Sequence, residues 1–261
     1  MISLTSTEIN AWVVAFFFPL ARILAVLATA PPFNNPALTA RVRLLLGLAI
    51  TIGIAPVLPS ISPLDPASGA GLLLLAQQML IGFAMGFAMR LVFSAVDMAG
   101  NLISLQMGLG FASSYDPQTA GQTAVISELL GLLALLVFMA INGHLMVIAT
   151  LTHSFSVIPI GGPRLAATTW SSLANSAAIV FSAGLFLVLP IIVALMISNL
   201  ALAILSRAAP QLNLMVIGFP LTIALGFAAL LFGLSYMGTP LQELFENGLQ
   251  SMLGHFAVVT P

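Results

Sequence analysis

Six long apolar runs decide what this chain of 261 residues can become. They lie near residues 12–30, 37–58, 69–107, 125–151, 173–206 and 214–237, and none alternates with a period of two. Backbone groups placed in hydrocarbon must be bonded within the protein, which only helices and closed barrels achieve, and a barrel strand would alternate. The expected fold class is all-α: polytopic, membrane-associated helical hairpins. The breaks between runs carry loop chemistry. Pro31, Pro32 and Pro36 surround Asn34 and Asn35, four prolines fall between Pro56 and Pro66, and Pro159 and Pro163 enclose Gly161 and Gly162.

Charge explains why these runs cannot be the core of a soluble globule. The chain carries 6 basic residues, all Arg, against 7 acidic ones, and only 5% of it is charged while 60% is hydrophobic. A soluble domain has about a quarter of its residues charged. A soluble enzyme is excluded. With no Lys and a net charge of -1 there is no basic patch for a phosphate backbone, so nucleic acid is excluded as a partner. The absence of Cys removes disulfides, thiolate metal sites and Cys nucleophiles.

Run lengths disturb the picture of plain bilayer spans. A bilayer core takes ~20 helical residues. Residues 173–206 as one helix would measure about 51 Å, far beyond a core of ~30 Å, and Pro190 near the middle predicts a kink or two half-helices. Residues 69–107 are longer still and are interrupted by Arg90 and Asp97. Some helices are therefore expected to be kinked and not simple spans. Ala28 and Ala30 imitate a leader cleavage site, but Glu8 stands where a basic stretch belongs and Arg22 interrupts the apolar run, so the segment is expected to stay in the mature protein. Arg41 and Arg43 predict a cytoplasmic loop.

The polar residues inside the runs are the candidate functional positions. Arg22 must be paired, snorkelling or off the lipid, and an interfacial anchor and a functional cation both fit. Arg90, Ser94, Asp97, Asn101 and Ser104 step by 4, 3, 4 and 3, which puts all five on one helical face. That stripe either meets a partner helix as a polar seam, the preferred reading, or borders a water-filled passage. Gly82 and Gly86 form a small-xxx-small face open to close approach by another helix.

Residues 106–122 (QMGLGFASSYDPQTAGQ) differ from every other break. Gly108, Gly110 and Gly121 permit unusual backbone angles, while Met107, Leu109, Phe111 and Tyr115 are too apolar for a solvated loop with one charge, Asp116. Such a segment should be buried in protein or line a cavity. A plug across a passage and a re-entrant connection fit equally. Catalytic readings fail on spacing. Tyr115-Asp116 is half of an intramembrane aspartyl protease signature, and the second half is missing. His144 and His153 are nine apart without HExxH, and there is no GxSxG elbow, P-loop or dinucleotide turn. Three scattered His residues make no metal site; His144 is expected to be hydrogen-bonded near Asn142. Neither an enzyme nor a cofactor is expected.

Four ordered blocks carry a family likeness: PLARILAVLATAPPFNNPALTARVRLLLGLAITIGIAPVLP, LISLQMGLGFASSYDP, INGHLMVI and LSRAAPQLNLMVIGFPLTI. With them the chain resembles the FliR (SctT-like) family of type III secretion export gates over nearly its whole length. The last block, with Arg207, Pro210, Gln211, Asn213, Gly218 and Pro220, is the most distinctive, and its GFPLT looks more like the flagellar branch than the virulence one. The resemblance implies a gate subunit assembled with FliP and FliQ, with FlhB among the other export-apparatus partners and lipid around it. Unfolded flagellar subunits would pass through, in the bacterial inner membrane at the flagellar basal body and partly above the bilayer plane. It implies a FliP-like part over residues 1–165 and a FliQ-like hairpin with tail over 166–261, turning near 207–213. It also implies that 106–122 is the plug that closes the pore at rest. A competing expectation is a self-contained transporter binding solute at Arg90, Asp97 and Asn101; no internal repeat supports it.

Overall fold

The computed structural model describes residues 6–58, 68–109, 125–162, 167–209 and 214–256. Within them all regular structure is helical. The helices are α1 (Ser6–Thr29), α2 (Ala40–Ile54, followed by a 3-10 turn Ala55–Val57), α3 (Gly69–Gln106), α4 (Val125–Ala140), α5 (Gly143–Val157), α6 (Ala167–Ser176), α7 (Ile179–Ala208) and α8 (Leu214–Gly254). By length and composition three stretches can cross a bilayer, Gly69–Gln106, Thr168–Ala208 and Gly218–Gly254, and the kinked pair α4 and α5 can form a fourth.

The run lengths fail as plain spans in the expected sense, but the breaks fall elsewhere. Pro190 lies inside a continuous α7, and the chain breaks at residues 177–178, where no Pro or Gly signals it. Membrane helices tolerate Pro because neighbouring groups can satisfy the freed carbonyl. The run at 125–151 is split at Asn142, which adopts the left-handed φ of 57°. α8 continues 17 residues past the predicted end at 237, through Pro240.

Contacts divide the chain into two compact units. The first comprises Met1–Leu91, Asn142–Ala177 and Glu246–Pro261; the second comprises Val92–Ile141 and Ala178–Phe245. Two of the four boundaries fall inside α3 and α8; the others fall between α4 and α5 and between α6 and α7.

In the first unit, α3 lies against α1 through the two glycines singled out above. A Cβ on Gly82 would run into the Arg22 carbonyl oxygen and come within 2.8 Å of the Ala25 Cβ; one on Gly86 would strike Thr29 Oγ1. The small-xxx-small face is thus occupied by the chain's own first helix. Gly47 gives α2 the same access, its missing Cβ leaving room for Leu24.

In the second unit, Gly100 on α3 meets the α4 backbone at Ser127, and Ser127 Oγ donates to the Asp97 carbonyl at 3.0 Å. Gly184 brings α7 onto Ala95 and Met98 of α3. Phe93, Phe138 and Phe245 meet at centroid distances of 5.2–5.6 Å, tilted and edge-on rather than flat-stacked, as ring quadrupoles favour. Much apolar surface stays uncovered. In the most apolar stretch of the α8 span only 17% is buried, against 61% for α3, and Phe232 is 79% exposed.

Candidate functional site at the end of the third helix

A helix ends with four carbonyls that have no partner in the helix, and in a dry interior each needs one. The end of α3 lies where the apolar, Gly-rich segment begins, and each of its last four carbonyls has a donor within 3.4 Å. Gly108 takes φ 77°, open to a residue without a Cβ. This turns the chain so that Leu109 N–H donates to Ser104 O at 3.0 Å and Gly108 N–H to Leu105 O at 3.1 Å. The pair of bonds is a Schellman cap.

The other two carbonyls are satisfied from the last two helices. Asn199 of α7 donates through Nδ2 to Gln106 O at 3.1 Å, and more weakly to Gln106 Oε1 at 3.4 Å. Thr222 of α8 has one hydroxyl hydrogen, shared between Phe219 O at 3.0 Å and Met107 O at 3.4 Å. Asn199 is therefore the stronger of the two donors. An interhelical polar contact of this kind contributes about 0.6 kcal/mol on average in a membrane protein.

Packing closes the same place. Met107 is fully buried, and its side chain occupies the space where Gly226 lacks a Cβ, which would lie 2.6 Å from Met107 Cε and 2.7 Å from Sδ. Burial of a Met side chain is worth roughly 1.5–3 kcal/mol. The Phe219 ring lies against Gly108, 3.1 Å from where a Cβ would stand. Met107 and Gly108 thus form a foot set into α8, beside Gly218 and Pro220 of the late motif.

Other expected positions are placed less tightly. Gly110, Phe111, Tyr115, Asp116 and Gly121, and Pro210, Gln211 and Asn213, lie outside the described residues. Arg207 sits exposed in the last turn of α7, where a cation complements the helix dipole. The polar stripe is not buried as a unit. Arg90, Asp97 and Asn101 are exposed, Ser94 is half-buried, and Ser104 is 4% exposed with no hydrogen-bond partner for its hydroxyl. The α4 contact at Gly100 and Ser127 runs alongside it, and Gly131 stands 3.5 Å from Asp97 Oδ1 when given a Cβ. His144 differs from expectation: its Nδ1 is buried without a partner. No group of three His, Cys, Asp or Glu able to hold a metal occurs among the described residues.

Arg22, open between anchor and functional cation on sequence grounds, does not snorkel. It is fully buried and bonded on every side. Nε and Nη2 donate to Gln78 Oε1 at 2.9 and 2.5 Å, Nη1 to Ser154 O and Oγ at 3.0 and 3.1 Å, and Nη2 to Ile158 O at 2.9 Å. The guanidinium lies 4.3 Å from the Phe155 ring centroid. Its counterpart is the negative end of α5 rather than a carboxylate. An open cleft of ≈ 510 Å³ nearby in the same unit, with His153, Glu246 and Gln250 on its wall, includes none of the expected site residues.

Asn199, Thr222 and Gly226 were missed by the spacing arguments. Asn199 carried a signal, an amide within 30 mostly apolar helical residues, and Thr222 lay inside the late block without standing out.

Comparison with known proteins identifies the family. Residues 13–248 match the bacterial export proteins, family 1. The chain is 43% identical over 230 residues to the flagellar biosynthetic protein FliR of Pectobacterium carotovorum subsp. carotovorum, covering 88% of each chain. It is 42% identical over 228 residues to FliR of Escherichia coli (strain K12), covering 87% of each. With FliR of Bacillus subtilis (strain 168) it shares 28% identity over 249 residues, 94% of this chain and 95% of that one. The blocks read from the sequence, the membrane-length helices and a match over nine-tenths of the length converge: this chain belongs to the bacterial export proteins, family 1, a family of exporters and not of enzymes.

Proposed function

We propose that the chain is a core subunit of the flagellar type III export gate in the bacterial inner membrane, assembled with FliP and FliQ and in contact with FlhB. Residues 106–122 close the passage at rest and withdraw for unfolded flagellar subunits. The observation that carries the reading is the foot of that segment: a helix end with a donor near every terminal carbonyl, from which a greasy, Gly-rich stretch departs. The relatives are named as flagellar biosynthetic proteins, which supports the same pathway.

In this reading Leu109, Phe111 and Tyr115 obstruct the lumen, while Met107, expected among them, is packed against Gly226 instead; Asp116 lies at the mouth, and Gly110 and Gly121 give the backbone freedom to move. Exposed Arg90, Asp97 and Asn101 meet a sibling subunit, since a polar stripe on a membrane-length helix cannot face hydrocarbon. Uncovered apolar faces of α7 and α8 are shared between siblings and lipid. The division into a FliP-like part (1–165) and a FliQ-like hairpin (166–261) describes likeness to two kinds of partner and is separate from the two packing units. Arg207, Pro210, Gln211 and Asn213 form the turn of that hairpin.

Deletion of Gly110–Gly121 tests the plug. Membranes holding the assembled mutant complex should become leaky to small ions, and unchanged conductance would sink the plug. Purification in mild detergent tests the rest: recovery in a hetero-oligomer is expected, and a stable solute-binding monomer would replace the gate with a transporter.

A further inference from the structure

We infer that Asn199, Thr222 and Gly226 form a fixed anchor that positions Gln106–Gly108, so that the terminal hairpin α7–α8 fixes the point from which the chain leaves α3. The inference builds on the plug reading above but concerns Asn199 and Gly226, which lie outside the family blocks, together with Thr222 at the end of GFPLT. Three observations meet at one spot. Asn199 and Thr222 supply the donors that the Schellman cap leaves wanting, at Gln106 O and Met107 O. Gly226 admits the whole Met107 side chain, which has no exposed surface. Gly108, with φ 77° and Phe219 against it, fixes the direction in which the chain leaves. Releasing this foot would leave part-buried carbonyls without partners and empty a packed site. The foot is therefore expected to stay seated during export.

A reversible crosslink separates an anchor from a latch that must let go. A Cβ at 226 would fall on the Met107 Cγ, so cysteines at 107 and 226 would have Cβ atoms no more than about 4 Å apart, within disulfide reach. The chain has no other Cys. The Met107→Cys, Gly226→Cys protein is assembled in its full complex, and export and resting ion conductance are compared oxidised and reduced. An anchor predicts equal export in both states. Export that stops on oxidation and returns on reduction would overturn it.

Loosening the foot gives the second arm. Asn199→Leu with Thr222→Val removes both donors, and at equal amounts of assembled complex the resting conductance should rise several-fold. If this variant assembles poorly, the cysteine pair is added to it: oxidation should restore tight membranes and reduction should undo the effect. Tight membranes in the loosened variant, beside leaky ones in the Gly110–Gly121 deletion, would sink the anchor and leave the plug standing. Tight membranes in the deletion would sink both.

Discussion

Two helix ends in this molecule face the same problem and solve it by different chemistry. The end of α3 is closed by a glycine turn and two neutral side chains, Asn199 and Thr222. The end of α5 is closed by a full cation, with Arg22 reaching Ser154 O and Ile158 O while Gln78 holds the rest of the guanidinium. Neutral donors cost little to desolvate and hold modestly; a buried cation costs much to desolvate and, once in place, cannot be released without exposing that cost. The contrast suits a deeply held core at Arg22 and a lighter seat at Gln106 and Met107. It also shows that a cation in an apolar run need not seek an acid, because a helix terminus offers the opposite partial charge.

The largest break in the comparison should come from Arg22→Ala. It strips two carbonyls and Gln78 of their donors and leaves a cavity, and the expected loss is about 2–6 kcal/mol, at about 1–3 kcal/mol for each backbone carbonyl left without a donor. Thermal unfolding of the detergent-solubilised complex measures it, and a loss near that of a surface substitution would remove Arg22 from the core.

A smaller effect is expected from Gly108→Ala, because a left-handed residue with a Cβ costs about 1–2 kcal/mol and Phe219 must give way as well. Gly161→Ala is the control. Gly161 has φ 82° with nothing within 4 Å of a Cβ, so its cost is backbone strain alone. The difference between the two in unfolding temperature reports the Phe219 contact, and equal shifts would mean the ring contributes nothing.

Asn199→Ala should lower stability by about 1 kcal/mol, the net value of one hydrogen bond. Thr222→Val should do least, at most about 0.5 kcal/mol on the scale of interhelical contacts, since its hydrogen is shared with Phe219 O. If Thr222→Val proved the more damaging, the order of donors at the foot would be reversed.

What the sequence made legible follows from how local each cause is. Gly82 and Gly86 could be read four apart on one face, and their close contact with α1 followed. Gly108 could be read as a residue freed for an unusual angle, and it caps α3. Arg22 could not be resolved, because its partners sit 56 to 136 residues away and two of them are backbone carbonyls, which every residue has. The five-residue stripe was correct as a helical face but did not tell which members the chain itself would cover: Ser104 is buried while Arg90, Asp97 and Asn101 are not. The last apolar run ends at 237, but the helix continues through Pro240 to Gly254, and the break at 177–178 had no breaker residue to announce it.

The foot of α3 has one further consequence, in time. Its donors lie 93 and 115 residues downstream of the carbonyls they satisfy. At a synthesis rate of about 5–20 residues per second, α3 waits roughly 5 to 20 s on the ribosome before its end can be completed. Only a chain translated through its last hairpin carries Asn199 and Thr222, so a prematurely terminated chain lacks the donors that complete the end of α3.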